Sequence, residues 1–292
     1  MRKFPFVTVD VFSSRALAGN PVAVFTDARG LGDAEMQAIA LETRLSETTF
    51  IIPRDEATER ASGVKVRIFT VAEELPFAGH PTLGTASVIA NGRNLEEVAL
   101  DLKVGKIPVS FKATPDGRFG EMTQRDPEFG RIHNAHEVAG AIDLSVDELD
   151  LSSPIQTVST GFAFAIVPLR SVSTLERLSL DLKKAYAYLG NTDARQFYFI
   201  WRDGEEAPDV RARMLFYGGE DPATGSAAGC TAAWLVRHGR AKPEQQVVIA
   251  QGIEMKRPSD IYVRAGLDGT RVCNVRVGGY CAEVMRGELT IP

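Results

Sequence analysis

Short runs of apolar residues, either alternating with polar ones or continuous, recur along the chain at Val7–Phe12, Val22–Phe25, Thr49–Ile52, Val64–Phe69, Val98–Leu102, Ile107–Phe111, Thr157–Val167, Phe197–Trp201, Val210–Phe216, Val247–Ile249, Ile261–Val263 and Val272–Val277. Each predicts a strand. Helical spacing is confined to Asp33–Thr43 with its acidic first turn, Pro81–Ala90, Val146–Leu149 after the cap residue Ser145, Leu180–Leu189 and Ser226–His238. Many strands and few helices give a β-rich α+β protein. The polar, charged stretch from Pro115 to Glu137 is the candidate linker. It predicts one half over 1–125 and another over 126–292, and leaves open a return of the last strand to the first half.

Sliding the sequence over itself by 146 residues lays Val66–Ala86 on Ala212–Ala232 without a gap. Identities fall at Arg67/Arg213, Glu74/Glu220, Pro76/Pro222, Gly79/Gly225, Thr85/Thr231 and Ala86/Ala232, six of 21 columns, where typical residue usage gives roughly one or two. Both segments read as an apolar strand, a Glu-x-Pro turn, a glycine, then a helix rich in small residues. We take them as one strand–loop–helix unit used twice.

The composition narrows what such a duplication can do. At 292 residues, 44% apolar and 24% charged, the chain is an ordinary two-domain globular protein. Its net charge of −5 provides no drive toward nucleic acid or anionic membrane. The longest uncharged stretch, Leu151–Leu169, is broken by Ser, Thr, Gln and Pro and is no membrane span. The opening MRKFPFVTVDVF alternates into Asp10 and reads as a strand rather than a signal peptide. Cys230, Cys273 and Cys281 are odd in number and lack a CxxC pair, so we expect free thiols and a reducing cytoplasm. The pair His133 and His136 has no metal-site spacing around it, and we expect it on a solvated surface.

Any anion must then be held locally, and helix N-termini do this with unpaired N–H groups and a positive dipole end. Two starts are available, Gly79-His80-Pro81-Thr82 and Gly225-Ser226-Ala227-Ala228. The dipole predicts a neutral His80, able to accept or donate a proton. Asp221 and Ser226 in the second loop are spaced to touch one small ligand, and Glu47 stands at the mouth of a strand in LSETTFIIP. Each residue also has an ordinary reading: helix caps for the two starts, a turn residue before Pro222, an N-cap at Ser226, a strand-edge carboxylate at Glu47. Other chemistries lack their signatures. There is no G-x-S-x-G elbow, no Walker loop, no G-x-G-x-x-G after the first strand, and no Lys in either repeated loop for a Schiff base. No organic cofactor and no metal are expected.

Five ordered stretches, DVFSSRALAGNPVAVF, LSETTF, EELPFAGHPTLGTA, GGEDPATGSAAGCTAAWL and VGGYCAEVMRGEL, resemble those of the phenazine biosynthesis PhzF-like family, within the diaminopimelate epimerase fold superfamily. The resemblance covers almost the whole chain. It implies two pseudo-symmetric domains, each a curved mixed β-sheet wrapped around a central helix, with the active site in the cleft between them. By the same resemblance Glu47 is the proton-shuttling carboxylate, His80 the cleft histidine, and Asp221 with Ser226 the substrate-contacting pair. Gly79, Gly225 and Ser226 would bring N–H groups to a substrate carboxylate. Asn20 of AGNP resembles a substrate-facing Asn of the superfamily, and an N-P turn explains it equally well. Where epimerases of this fold carry two thiols, the residues here are Ala78 and Thr224, which disfavours a two-thiol racemase and leaves Cys230 a buried structural role. The reaction implied is a cofactor-free proton transfer on a small carboxylate-bearing substrate, as in isomerisation of a dihydro-hydroxyanthranilate, by a cytoplasmic homodimer. The alternatives are an amino or hydroxy acid epimerase, and a carboxylate-binding protein without turnover.

Overall fold

Because Val, Ile and Phe stack well on a pleated surface, the apolar runs form strands, and small residues let two helices pass between them. The computed structural model describes residues 1–202, 209–216 and 219–291. In chain order the elements are β1 (Arg2–Val11), β2 (Asn20–Phe25), α1 (Asp33–Thr43), β3 (Glu47–Ile52), α2 (Glu56–Ser62), β4 (Val64–Phe69), β5 (Glu74–Leu75), α3 (Gly79–Arg93), β6 (Glu97–Leu102), β7 (Gly105–Thr114) and β8 (Gly117–Thr123). There follow β9 (Glu128–Ile132), α4 (Ala135–Ala141), a 3-10 turn at Val146–Glu148, β10 (Gln156–Ser159), β11 (Ala163–Pro168), α5 (Val172–Glu176), α6 (Leu182–Leu189), β12 (Gln196–Trp201) and β13 (Val210–Arg213). The chain closes with β14 (Leu215–Phe216), β15 (Gly219–Glu220), α7 (Gly225–Arg237), β16 (Val247–Gln251), β17 (Ser259–Asp268) and β18 (Arg271–Ile291). Two compact units result, Met1–Thr123 joined by the terminal segment from Gly278, and Gln124–Val277. Among the described residues no helix is long and apolar enough to cross a membrane.

In the first unit the strands run β1-β2-β3-β4-β6-β7-β8-β18, and β18 pairs with β1, so the sheet closes on itself. Closure removes the edges that would otherwise expose unpaired N–H and C=O groups. Inside lies α3, packed against β1, β2, β3, β6, β7 and β8. A helix buried all round needs no polar face, and Gly79 to Ser87, Ile89 and Ala90 are all buried. The strands approach closely because Gly84 has no side chain: a Cβ there would stand 2.7 Å from Val22 and 2.8 Å from Val11. On the outside, α1 buries Met36, Ile39 and Ala40 over Phe25, Phe50 and Phe69, whose rings follow one another at 5.1 and 5.5 Å.

The second unit repeats the plan. Successive neighbours pair antiparallel, parallel, antiparallel, parallel, antiparallel along β1-β2-β3-β4-β6-β7, and in the same sequence along β10-β11-β12-β13-β16-β17. The helix α7 occupies the position of α3 and is buried from Gly225 to Val236 except at Ser226. Gly229 lets the side-chain amide of Gln124 lie against it, where a Cβ would collide. That amide donates to the Gly225 carbonyl at 3.0 Å and accepts from Thr160 at 2.7 Å.

Several expectations are corrected. The stretch Pro115–Glu137 is no linker: it holds β8, β9 and the start of α4, whose cap Asn134 accepts from His136 and Glu137. Its charged residues fall three apart in each strand, at Arg118 and Glu121 and at Glu128 and Arg131, and so break the apolar alternation that would mark a strand. The run Thr157–Val167 is a hairpin, broken where Gly161 takes a positive φ of 132°. The final strand does not stop at Val277, because pairing with β1 from Val11↔Cys281 to Arg2↔Ile291 sustains it. His133 is not on a solvated surface. It is buried, with Nδ1 2.8 Å from the Tyr188 hydroxyl and Nε2 2.8 Å from Thr157.

Candidate active site

Two salt bridges separated by 146 residues shape the loops before the buried helices. Arg67 Nε and Nη2 meet the two oxygens of Glu74 at 2.8 and 2.7 Å; Arg213 meets those of Glu220 with the same two nitrogens, at 2.8 Å each. In both units a strand arginine grips the glutamate of the Glu-x-Pro turn seven residues on, in the bidentate geometry that a planar guanidinium favours. The Arg67 guanidinium holds the Glu74 carboxyl down at about 2. These pairs account for two of the repeated identities. They also set where each chain enters its helix.

The entries themselves are alike. Ala78 and Thr224 are the N-caps, and neither supplies a side-chain cap, so the first N–H groups are left to other partners. In α3 these belong to Gly79 and His80, since Pro81 has none; in α7 they belong to Gly225, Ser226 and Ala227. Ser226 is therefore not the N-cap but the second residue of the helix, partly exposed.

In the first unit the register Val22↔Glu47 between β2 and β3 sets Glu47 near Asn20 and Pro21, which open β2 and pair with β1 rather than forming the N-P turn. The side chains of Glu47 and His80 are 16% and 7% exposed, and His80 Nε2 lies 3.3 Å from Glu47 Oε2, in contact but not aligned as a hydrogen bond. Burial pushes the His80 imidazole down to about 3, against a smaller upward effect from its bond to the Pro21 carbonyl. The ring is neutral for a different reason from the helix dipole expected: desolvation dominates. Asn20 is fully buried at the start of β2. Asn20, Glu47, Gly79 and His80 thus belong to one neighbourhood of the first unit.

The second unit holds Asp221, Gly225 and Ser226. Asp221 Oδ2 accepts from the Thr224 hydroxyl at 2.6 Å, and Thr224 in turn is bonded to Gln251. Sequence reasoning passed over Gln251, although a lone amide ending the apolar run VVIAQ is a visible signal. Cys230 is fully buried in α7, with its thiol pushed up to about 11 by desolvation; an un-ionised thiol is a poor nucleophile.

Comparison with known proteins adds a lineage to this geometry. The family model described as phenazine biosynthesis-like protein matches residues 9–287. The chain is 36% identical over 288 residues to the trans-2,3-dihydro-3-hydroxyanthranilate isomerase of Pseudomonas aeruginosa, covering 97% of this chain and 98% of that protein. It superposes on the crystal structure of the Bacillus anthracis phenazine biosynthesis protein of the PhzF family with a TM-score of 0.86 at 26% identity, covering both chains completely. A hydroxyproline epimerase from Agrobacterium vitis shares the fold at a TM-score of 0.66 and 11% identity, over 99% of this chain and 92% of that one. The architecture is the diaminopimelate epimerase-like fold.

Proposed function

The chain belongs to the phenazine biosynthesis-like family and is an isomerase, and from that premise we propose that Glu47 moves a proton on a small carboxylate-bearing substrate without a cofactor. The observation that carries this reading is the Glu47–His80 pair, a largely buried carboxyl group 3.3 Å from an imidazole that stays neutral. A neutral imidazole can accept a hydrogen bond from the protonated form of the carboxyl group beside it without taking the proton, and its own bond to Pro21 holds the ring in place. Glu47 then removes an acidic C–H proton and delivers one at a second carbon. The electron pair left by the first step shifts along the substrate, and its developing charge is met by N–H groups at the helix starts.

In this reading both helix starts serve one substrate in a cleft between the two halves, with Asp221, Gly225 and Ser226 contributing from the second. Asn20 and Gly79 complete the binding set. A homodimer working in the cytoplasm, with no nucleic-acid or membrane partner, is part of the same proposal. The absence of thiols at Ala78 and Thr224 speaks for isomerisation over two-thiol epimerisation.

The test uses Glu47→Gln, which keeps shape and removes basicity, with trans-2,3-dihydro-3-hydroxyanthranilate as the first compound because a 36% identical relative is named for it. Turnover in D₂O should introduce deuterium in the wild type. The variant should lose about 10²-fold or more in rate while ligand affinity stays within about 1.4 kcal/mol, or tenfold. Full activity of Glu47→Gln on any compound that the wild type turns over would overturn the assignment.

A further inference from the structure

The amide of Gln251, fully buried at the end of β16, has every polar valence occupied. Its oxygen accepts from the Tyr198 hydroxyl at 2.8 Å and from the Thr224 N–H at 3.1 Å. Its nitrogen donates to the Asp221 carbonyl at 2.7 Å and to Thr224 Oγ1 at 2.9 Å. Reversing the amide would put a donor against the Thr224 N–H and an acceptor against the Asp221 carbonyl, so its orientation is determined by the backbone on either side. Tyr198 is also fully buried, and desolvation raises its phenol far above the usual range, which keeps it a donor. Next to Gln251, Gly252 takes a positive φ of 75°, and a Cβ there would stand 2.6 Å from the Pro222 carbonyl. The strand end is pressed against the loop.

This fixes the direction of one hydroxyl proton. Thr224 Oγ1 already accepts from the Gln251 amide, so its own proton points away, toward Asp221 Oδ2 at 2.6 Å. Thr224 is the N-cap of α7, a position where threonine oxygen usually accepts from a helix N–H. Here it makes no such cap. The loop backbone is already held by the Gln251 bonds to Thr224 N–H and Asp221 C=O and by Arg213 on Glu220. The hydroxyl bond orders only the Asp221 side chain.

We propose that Thr224 and Gln251 are positioning residues for Asp221: Gln251 sets the direction of the Thr224 hydroxyl, and that hydroxyl fixes the orientation of the Asp221 carboxylate through Oδ2. The assignment rests on the reading of Asp221 as a substrate-contacting group. It also gives the Thr224 position a role that a thiol there would not fill. The first unit has no counterpart, since the residues 146 positions earlier are Leu75 and Ala78.

Thr224→Val keeps the side-chain shape and deletes the donor, and Thr224→Ser keeps the donor. In crystal structures the Asp221 carboxylate should leave its position in Thr224→Val and retain it in Thr224→Ser, a readout that needs no substrate. With trans-2,3-dihydro-3-hydroxyanthranilate, kcat should fall about tenfold or more in Thr224→Val and stay near wild type in Thr224→Ser; Thr224→Ser should melt near the wild-type temperature and Thr224→Val lower, because the buried Gln251 amide loses the oxygen that accepts from it. A carboxylate that stays in place in Thr224→Val, or a loss that Thr224→Ser shares, overturns the proposal. Full activity of Asp221→Asn overturns instead the reading of Asp221 on which it rests.

Discussion

His80 shows how one residue's protonation is decided by depth rather than by its place in a helix. Its ordinary value near 6.5 falls to about 3 because the ring is buried. The unfolded chain therefore binds a proton near pH 6.5 that the folded chain refuses until about pH 3. The stability this group contributes is complete above pH 6.5 and is lost progressively as pH falls from there toward 3. We expect the His80 ring resonances in nuclear magnetic resonance spectra to stay flat between pH 5 and 8; a titration inside that window would place a charged imidazole next to Glu47. The opposite case is Glu74, held down at about 2 by Arg67. Its contribution is present above about pH 4.5 and disappears as pH falls through 2, so Arg67→Met should flatten the acid limb of a denaturation profile over that interval.

At the scale of the element, the two buried helices differ from ordinary amphipathic ones in tolerating almost no added volume. Gly84 lies mid-helix in α3 with valines at 2.7 and 2.8 Å from where a Cβ would be, whereas Gly92 near the end of the same helix has nothing within 4 Å. Alanine is the better helix former at both sites. Gly84→Ala should nevertheless destabilise the protein by about 1–3 kcal/mol through overpacking, while Gly92→Ala should be neutral or stabilising by up to about 1 kcal/mol. Paired thermal or urea melts decide this. Equal effects at the two positions would mean that α3 is not wedged between the strands as described.

On the scale of the whole molecule, the terminal strand is the feature with the largest consequence. The segment from Gly278 onward belongs to the first unit, where it pairs with β1 and completes the closed sheet. A chain ending at Val277 would leave β1 with one neighbour instead of two and uncover an edge along its length. Truncation there should abolish the cooperative unfolding of the first unit and promote aggregation, measured by calorimetry and light scattering. A truncated protein with an unchanged melting profile would refute the closing role of β18.

Patterning and the internal repeat carried much of this protein openly. Alternating Val, Ile and Phe marked most strands, α1 was legible to its ends, and the recurrence of Arg, Glu, Pro and Gly at an interval of 146 announced a duplicated loop before a helix. Such features are local, and periodicity or composition is enough to reveal them. The polar strands β8 and β9 were illegible because their neighbours, not their own residues, hold them in a sheet. The same holds for the last ten residues of β18, which persist through pairing with β1. That His80 is neutral through burial, that His133 is interior, and that Gln251 orients Thr224 toward Asp221 depend on groups 24 to 59 positions apart being brought within hydrogen-bonding distance. Desolvation and hydrogen-bond direction have no counterpart along the chain; they exist only once packing has removed water and left each polar group a limited set of partners.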